Sequence, residues 1–164
     1  MNNNDQKLTH PSDKQLFGFG AIIWQSAALE SLMHFAIAGL LGIGIEKSLF
    51  ITTPMGFNQK RDLWRVLTDS ADVPGHLNEK MNDFIQRTEA IQGLRNHVAH
   101  STWTKGARPD SIKPMQLKAR GTVKILGLDE KERDYTAADL YSEYEKIRLI
   151  GQELEEFLVE QGLK

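Results

Sequence analysis

The sequence contains no cysteine and carries almost no excess charge of either sign. Without cysteine, its 164 residues can form no disulfide framework and no catalytic thiolate, which fits a reducing compartment such as the cytoplasm. The formal net charge is -2 and the isoelectric point is about 6.2. This balance excludes a globally basic nucleic-acid-binding protein, but it is compatible with an enzyme that holds RNA at one local cleft.

Long uninterrupted apolar runs are also lacking. The most apolar stretch, Ala27 to Ile45, contains Glu30 and His34, and its unbroken apolar part begins only at Phe35. A bilayer span needs roughly 20 apolar residues, so this stretch predicts a buried core helix. The polar N-terminus, Met1 to Asp5, has no basic segment leading into an apolar one and predicts no signal peptide. We therefore expect a cytoplasmic protein without a membrane partner.

The spacing of the remaining apolar residues predicts an all-α fold. Steps of three and four residues predict long helices, whereas Met115 to Leu126 alternates between apolar and charged residues as a strand does. We expect an antiparallel helical bundle with a short β-hairpin or extended arm (about 113–127) inserted before the last helix. Residues 1–13 are predicted to be flexible, and 14–164 to form a single domain. Four helices are predicted. They run from Ser12 or Asp13 to about Leu41, from Phe57 to Asp69, from soon after Gly75 into the segment 92–103, and from Thr136 to Gly162.

Two sequence patterns give further detail on the first and the last predicted helix. Thr136 and Asp139 form a capping-box-like signal at the start of the last helix, and Gly162 is placed to close it. The first helix is apolar on all faces beyond Leu32, and the glycines near its end either admit a close neighbour or break it. Its predicted core stripe consists of Phe17, Ala21, Trp24, Ala28, Leu32, Phe35 and Gly39.

The segment from Gln92 to Trp103 carries the residues best suited to chemistry. Arg95 lies on or beside the apolar stripe of its helix, and a guanidinium is rarely buried without an anion or a hydrogen-bonding cleft to receive it. A guanidinium matches phosphate oxygens bidentately, and the imidazole of His100 can transfer protons at neutral pH. Asn96 can orient a side chain or a phosphate, and His97 can act as a second proton carrier. Together these groups suit RNA cleavage without a metal.

This arrangement of an Arg, a polar residue, a short gap and a His resembles the catalytic motif of the HEPN superfamily (higher eukaryotes and prokaryotes nucleotide-binding domains). The resemblance implies an all-α homodimer that cleaves RNA without a metal or other cofactor, through Arg95, Asn96 and His100. Cleavage by the ribose 2′-oxygen would leave 2′,3′-cyclic phosphate ends. The resemblance also implies a toxin or antiviral effector, with an antitoxin or regulatory protein as a further partner.

The spacing within the motif raises a geometric difficulty. Five residues on an ideal helix correspond to about 500°, which leaves the side chains of Arg95 and His100 roughly 140° apart. Either the helix loosens before His100, or the site is composite and formed by equivalent helices of two subunits at a two-fold axis. The resemblance favours the composite site.

Several charged residues outside the motif are candidates for supporting roles. Glu30 and His34 lie one helical turn apart; they form either a local pair that faces solvent, or a site in which Glu30 is the buried counter-ion of Arg95. The cations of the second helix and of the arm form either solvated surfaces or a substrate-binding surface that follows the phosphates. These cations are Lys60, Arg61, Lys118 and Arg120.

Three alternatives to an enzyme remain open from the sequence. In the first, Arg95 pairs with Glu30 and His100 caps its helix, without chemistry. In the second, the His97 and His100 pair joins the Glu30 and His34 pair in a metal site, although Arg95 would repel the cation. In the third, the chain is a non-catalytic dimeric module that binds a nucleotide, RNA or a protein.

Overall fold

The computed structural model describes residues 8–70, 75–120, 122–126 and 133–164, with side chains for 8–70, 75–115 and 133–164. Helices dominate these residues, and an antiparallel hairpin precedes the last helix, which confirms the predicted all-α class with an inserted hairpin. In chain order the elements are α1 (Asp13–Leu41), α2 (Ile45–Thr52), α3 (Phe57–Ser70), α4 (Gly75–His100), β1 (Thr102–Lys105), β2 (Ile112–Arg120), β3 (Thr122–Leu126) and α5 (Ala137–Glu160).

The chain divides into two compact units, each assembled from two separate stretches of sequence. Unit 1 comprises Met1–Trp24 and Gly93–Glu145, and unit 2 comprises Gln25–Gln92 and Lys146–Lys164. Residues 1–7 lie outside the described residues, and Leu8 pairs with Thr104 in an isolated antiparallel bridge. The flexible segment over 1–13 and the single domain over 14–164 stay predictions.

Unit 2 is a helical unit with an apolar core. The rings of Phe84 and Phe157 lie 5.6 Å apart between centroids, and the indole Nε1 of Trp64 donates a hydrogen bond to Met81 Sδ at 3.2 Å. Full burial of such side chains contributes about 1.5–3 kcal/mol each to folding. The buried apolar side chains of this unit include Leu29, Met33, Ile37, Trp64, Met81, Phe84, Ile85, Ile147, Leu154, Phe157 and Leu158.

The buried face of α1 differs from the predicted stripe by about one residue along the helix. Phe17 and Trp24, both predicted to face the core, are 68% and 67% exposed. The prediction was wrong because α1 is apolar on several sides, so the spacing of its apolar residues does not fix which side is buried. The positions that are buried instead include Gln15, Gly18, Ile22, Gln25, Leu29 and Met33.

The glycines near the end of α1 play both of the roles that the sequence allowed. A Cβ on Gly39 would lie 2.6 Å from Leu163 Cδ2, so the missing side chain admits a close neighbour. Gly42 follows the last helical residue with a φ of 62°, a left-handed conformation that glycine adopts without strain. The short helix α2, which begins just after Gly44, was not predicted. Its eight residues are too few for a periodic pattern, and Phe50 is 84% exposed.

Only α1, among the described helices, is long and apolar enough to meet the usual criteria for a membrane span. A core helix of a globular protein meets the same criteria, and α1 places Ile22, Leu29 and Met33 in buried positions. The expectation of a cytoplasmic protein without a membrane partner therefore stays a prediction.

Unit 1 contains the first part of α1, the end of α4 and the first part of α5, together with a three-stranded antiparallel sheet of order β1-β2-β3. The hairpin formed by β2 and β3 confirms the predicted arm, whereas β1 is an additional strand that the sequence pattern did not indicate. Ile112 and Tyr135 exchange backbone hydrogen bonds of 2.9 and 2.7 Å, which tie the start of β2 to the segment before α5. The sheet is thus fixed to the helical part of its own unit.

The start of α5 is held by hydrogen bonds and ion pairs to two carboxylates, Asp134 and Asp139. Thr136 and Asp139 form the predicted capping box: Thr136 N donates to Asp139 Oδ2 at 2.8 Å, and Asp139 N donates to Thr136 Oγ1 at 3.2 Å. The backbone N–H of Thr136 and the guanidinium of Arg108 lower the pKa of Asp139 to about 2. The backbone N–H of Arg108, with the hydroxyl of Ser111 and the guanidinium, holds the pKa of Asp134 well below its usual value. Gly162, with a φ of 65°, closes the helix as predicted.

Candidate functional site

The motif helix α4 continues without a break to His100. The backbone N–H of Ser101 donates to His97 O at 3.0 Å, which completes the last turn. The helix therefore does not loosen before His100, and one of the two explanations for the motif spacing is excluded. On a regular helix, the side chains of Arg95 and His100 project about 140° apart, whereas Asn96 and His100 share a face.

The end of α4 is held in place by the residues that follow it. Trp103, in β1, is 6% exposed; it stacks on Phe19 with ring centroids 4.6 Å apart and meets Tyr135 edge-on at 6.3 Å. Its carbonyl accepts a hydrogen bond from Thr9 N at 2.9 Å. These contacts fix the backbone immediately after His100, so this imidazole sits at a rigid helix-to-strand junction.

Arg95 differs from most of the other described arginines because it has no carboxylate partner. Its Nη1 donates to Asn96 Oδ1 at 3.3 Å, and it forms no ion pair with any residue that the structure describes. Its side chain is half-buried, so part of its hydration is lost without replacement by an anion. The described arginines that do form ion pairs with carboxylates are Arg61, Arg65, Arg87, Arg108 and Arg133.

The two histidines of the motif lie in different environments. His100 is exposed, and within the part of the chain that the structure describes it forms no hydrogen bond, ion pair or ring contact. His97 and Asn96 are half-buried, and each has further interactions with its surroundings. Of these three residues, His100 is the exposed one, and Asn96 is the one that contacts Arg95.

The carboxylate of Glu30 is paired with Lys60 inside unit 2. Lys60 Nζ lies 2.6 Å from Glu30 Oε1, and Lys60 is only 6% exposed. This differs from the expectation that Lys60 is a surface or phosphate-binding cation and Glu30 the counter-ion of Arg95. The physical reason is the spacing in α3: Lys60 lies one turn before Trp64 and two turns before Thr68, both fully buried, so it faces the core.

His34 is held by a threonine beside this ion pair. Nδ1 of His34 and Oγ1 of Thr52 share a hydrogen bond, and the same hydroxyl donates to Ser48 O at 2.8 Å. Burial lowers the pKa of His34, Lys60 lowers it further, and Glu30 opposes the shift. His34 thus belongs to a polar cluster of unit 2, with Glu30, Lys60 and Thr52.

The remaining candidate cations divide into those that are engaged and those that are not described. Arg61 donates to Asp62 Oδ1 and, at 3.0 Å, to Glu89 Oε1, so its charge is already compensated. The backbones of Lys118 and Arg120 lie in β2, but their side chains are outside the described residues. A substrate-binding role for these last two residues stays a prediction.

The structure thus separates the predicted site residues into two groups. Arg95, Asn96, His97 and His100 occupy the end of α4 in unit 1, and the cluster of Glu30, His34 and Lys60 belongs to unit 2. The four-residue spacing of Lys60 with Trp64 was the one sequence signal for the second group, and nothing in the sequence indicated Thr52. In the described residues, no group of three or more His, Asp or Glu side chains is arranged to hold a metal ion.

Comparison with known proteins yields no match to a family model, to a curated protein or to a solved structure.

Proposed function

We propose that this protein is a metal-independent endoribonuclease of HEPN type that acts as a homodimer in the cytoplasm. The observation that carries the proposal is a half-buried guanidinium without a carboxylate, Arg95, five residues before an exposed imidazole, His100. A phosphodiester supplies the anion that Arg95 lacks, and its adjacent ribose supplies the proton that an imidazole can accept. The resemblance of the motif to the HEPN superfamily supports the same reading.

The continuous helix supports a composite site. Because Arg95 and His100 of one chain point about 140° apart, they cannot both face one phosphate from the same helix surface. A two-fold axis that passes beside the ends of two α4 helices would bring Arg95 of one copy towards His100 of the other. Each dimer would then contain two equivalent sites.

The proposed chemistry divides between four side chains. One imidazole, His100, accepts the proton of the ribose 2′-hydroxyl as the 2′-oxygen forms a bond to phosphorus. Arg95 stabilises the charge on the phosphorane, and Asn96 orients Arg95 through the 3.3 Å hydrogen bond. The bond between phosphorus and the 5′-oxygen breaks, and the 5′-oxygen takes a proton from an imidazolium. His97, the second proton carrier of the motif, is the candidate for this donor. The products are a 2′,3′-cyclic phosphate and a 5′-hydroxyl.

The first experiment measures cleavage of single-stranded RNA by matched variants. We expect activity in excess chelator, cyclic phosphate ends, and loss of cleavage in His100→Ala, Arg95→Ala and Arg95→Lys, since lysine cannot reproduce the bidentate fork. His76→Ala is the control, because His76 is an exposed histidine in the first turn of the same helix. Equal cleavage by wild type and His100→Ala would overturn the assignment.

A mixing experiment tests the composite site directly. Neither Arg95→Ala nor His100→Ala has an intact site alone, but a mixed dimer has one site in which both residues are native. Random equimolar exchange should therefore restore about a quarter of the wild-type activity. Light scattering should give a dimer mass, and a monomer mass at micromolar concentration, or no recovery after verified exchange, would contradict the composite site.

A non-catalytic dimeric module is the second candidate, and the guanidinium of Arg95, which has no carboxylate partner among the described residues, is compatible with it as well. If the second copy of that dimer does not place its His100 beside Arg95, each chain offers a guanidinium suited to binding RNA or a nucleotide, without a proton carrier paired to it. In that case wild type and His100→Ala should bind RNA equally and cleave none. A toxin or antiviral role, with an antitoxin or other regulatory protein as partner, is part of the proposal in its enzymatic form only.

A further inference from the structure

Unit 1 contains a cavity that involves none of the motif residues. It has a volume of about 690 Å³ and lies between the start of α1, the segment 105–112 and the start of α5. Three basic side chains line it: His10, Lys14 and Lys105. A volume of this size is typical of sites that bind small organic ligands.

Within the part of the chain that the structure describes, the basic side chains of this cavity have no carboxylate partner. In the described part of the chain, neither Lys14 nor Lys105 forms an ion pair, and His10 forms no side-chain hydrogen bond. Asp134 and Asp139, near the start of α5, both pair with Arg108. Asp110 is the one carboxylate among the described residues that line the cavity, whereas two lysines line it.

The wall of the cavity is built by buried hydrogen bonds. Gln15, which is 5% exposed, donates from Nε2 to Asp110 O at 3.0 Å and accepts from Ser12 N at 2.8 Å. Asp110 has a φ of 55°, a left-handed conformation that few residues other than glycine adopt. Ser111, 4% exposed, donates to Asp134 Oδ2 at 2.8 Å. These contacts hold the wall of the cavity in place.

We infer that this cavity binds a terminal phosphate group, with Lys14 and Lys105 as its ligands. Lysine ammonium groups bind phosphate as point charges, and a terminal phosphate carries close to two negative charges at neutral pH, which matches two lysines. His10 adds a third donor to the same ligand. The space left over accommodates a nucleoside-sized body, and the carboxylate of Asp110 can accept a hydrogen bond from one of its hydroxyl or amino groups. A free mononucleotide and the 5′-phosphate end of an RNA strand share this chemistry.

Calorimetric titration of the whole protein with AMP, adenosine and inorganic phosphate tests the inference. We expect AMP to bind at least tenfold more tightly than adenosine, and inorganic phosphate to compete with AMP. Lys14→Ala and Lys105→Ala should each weaken AMP binding about tenfold or more, and Asp110→Asn should tighten binding of inorganic phosphate. Lys47→Ala is the matched control, because Lys47 is an exposed lysine of α2 in the other unit.

Two RNA oligonucleotides of the same sequence, one with a 5′-phosphate and one with a 5′-hydroxyl, distinguish the two sources of the phosphate. Stronger displacement of AMP by the phosphorylated strand would assign the cavity to RNA ends, and equal weak displacement would assign it to free nucleotides. Equal binding of AMP and adenosine, no binding of AMP at millimolar concentration, or an equal loss in Lys47→Ala would overturn the inference. Because the titration measures binding and not cleavage, its result does not depend on the ribonuclease proposal.

Discussion

Glu30→Gln is the substitution that most directly tests the polar cluster of unit 2. It removes the carboxylate charge but keeps the shape of the side chain, and so leaves the Lys60 ammonium buried without its counter-ion. In the folded protein the side chains of Lys60 and Glu30 are 7% and 29% exposed, and their charged atoms lie 2.6 Å apart. The pair is therefore neither a surface salt bridge nor fully sealed from water.

The magnitude follows from that intermediate burial. Removing one partner of a buried pair costs about 3–5 kcal/mol, and exposed pairs contribute about 1 kcal/mol or less. Since water reaches Glu30, we expect Glu30→Gln to lower the free energy of unfolding by roughly 2–3 kcal/mol. For a chain of this length, that corresponds to a fall in Tm of roughly 4–12 °C. The double variant Glu30→Gln with Lys60→Met should recover most of the loss, because no buried charge remains.

Urea unfolding followed by far-UV circular dichroism gives the required free energies. Arg61→Gln is the control from the adjacent position, since its pairs with Asp62 and Glu89 are at the surface, and it should cost about 1 kcal/mol or less. Arg95→Ala should also cost little, because Glu30 already has Lys60 as its partner. If Arg95→Ala destabilises the protein more than Glu30→Gln, or if Glu30→Gln falls within about 0.5 kcal/mol of wild type, the reasoning is refuted.

Three further predictions concern stability. Burial and Lys60 lower the pKa of His34, so the unfolded chain binds its proton more readily and wild-type stability should fall as the pH drops below about 6.5; His34→Asn should flatten this slope in urea unfolding. The pKa of Asp134 is lowered, so its stabilisation is present above about pH 4 and lost in acid; the stability gap between wild type and Asp134→Asn should narrow below that pH. Gly39→Ala should lower the free energy of unfolding by about 1–3 kcal/mol, because its Cβ would collide with Leu163. Gly20→Ala has no heavy atom near the added Cβ and should raise the free energy of unfolding by up to about 1 kcal/mol. A higher Tm for Gly39→Ala than for Gly20→Ala would contradict both expectations.

The elements that could be predicted from the sequence are those with local signals. The start and end of α5 follow from the Thr136–Asp139 capping box and from Gly162, both of which act within one turn of the chain. The buried side of α1 could not be predicted in the same way. Its apolar residues surround the helix, so only the packing of other segments decides that Ile22 is buried and Trp24 is exposed.

The candidate site shows the same division between local and tertiary information. The placement of Arg95 and His100 at the end of one helix follows from periodicity and is seen in the structure. The partner of Glu30 lies 30 positions away in sequence, in another helix. Pairing at that distance depends on how α1 and α3 pack within unit 2, which no local pattern encodes. Lys60 was therefore assigned to the surface although its spacing with Trp64 pointed inward.

The division of α5 between the two units has a consequence for synthesis of the chain. Its first turns pack in unit 1, where Leu140 meets Gly18, and its last turns pack in unit 2, where Phe157 meets Phe84. Unit 1 cannot be completed on the ribosome until Glu145 has emerged, and unit 2 cannot be completed until residues 146–164 have emerged. At about 5–20 residues per second, synthesis of residues 137–164 takes about 1–6 s, and the apolar faces that await α5 stay uncovered during that time. The nascent chain should therefore depend on chaperones over that interval, and a ribosome stalled before Ala137 should carry two incomplete units instead of one finished domain.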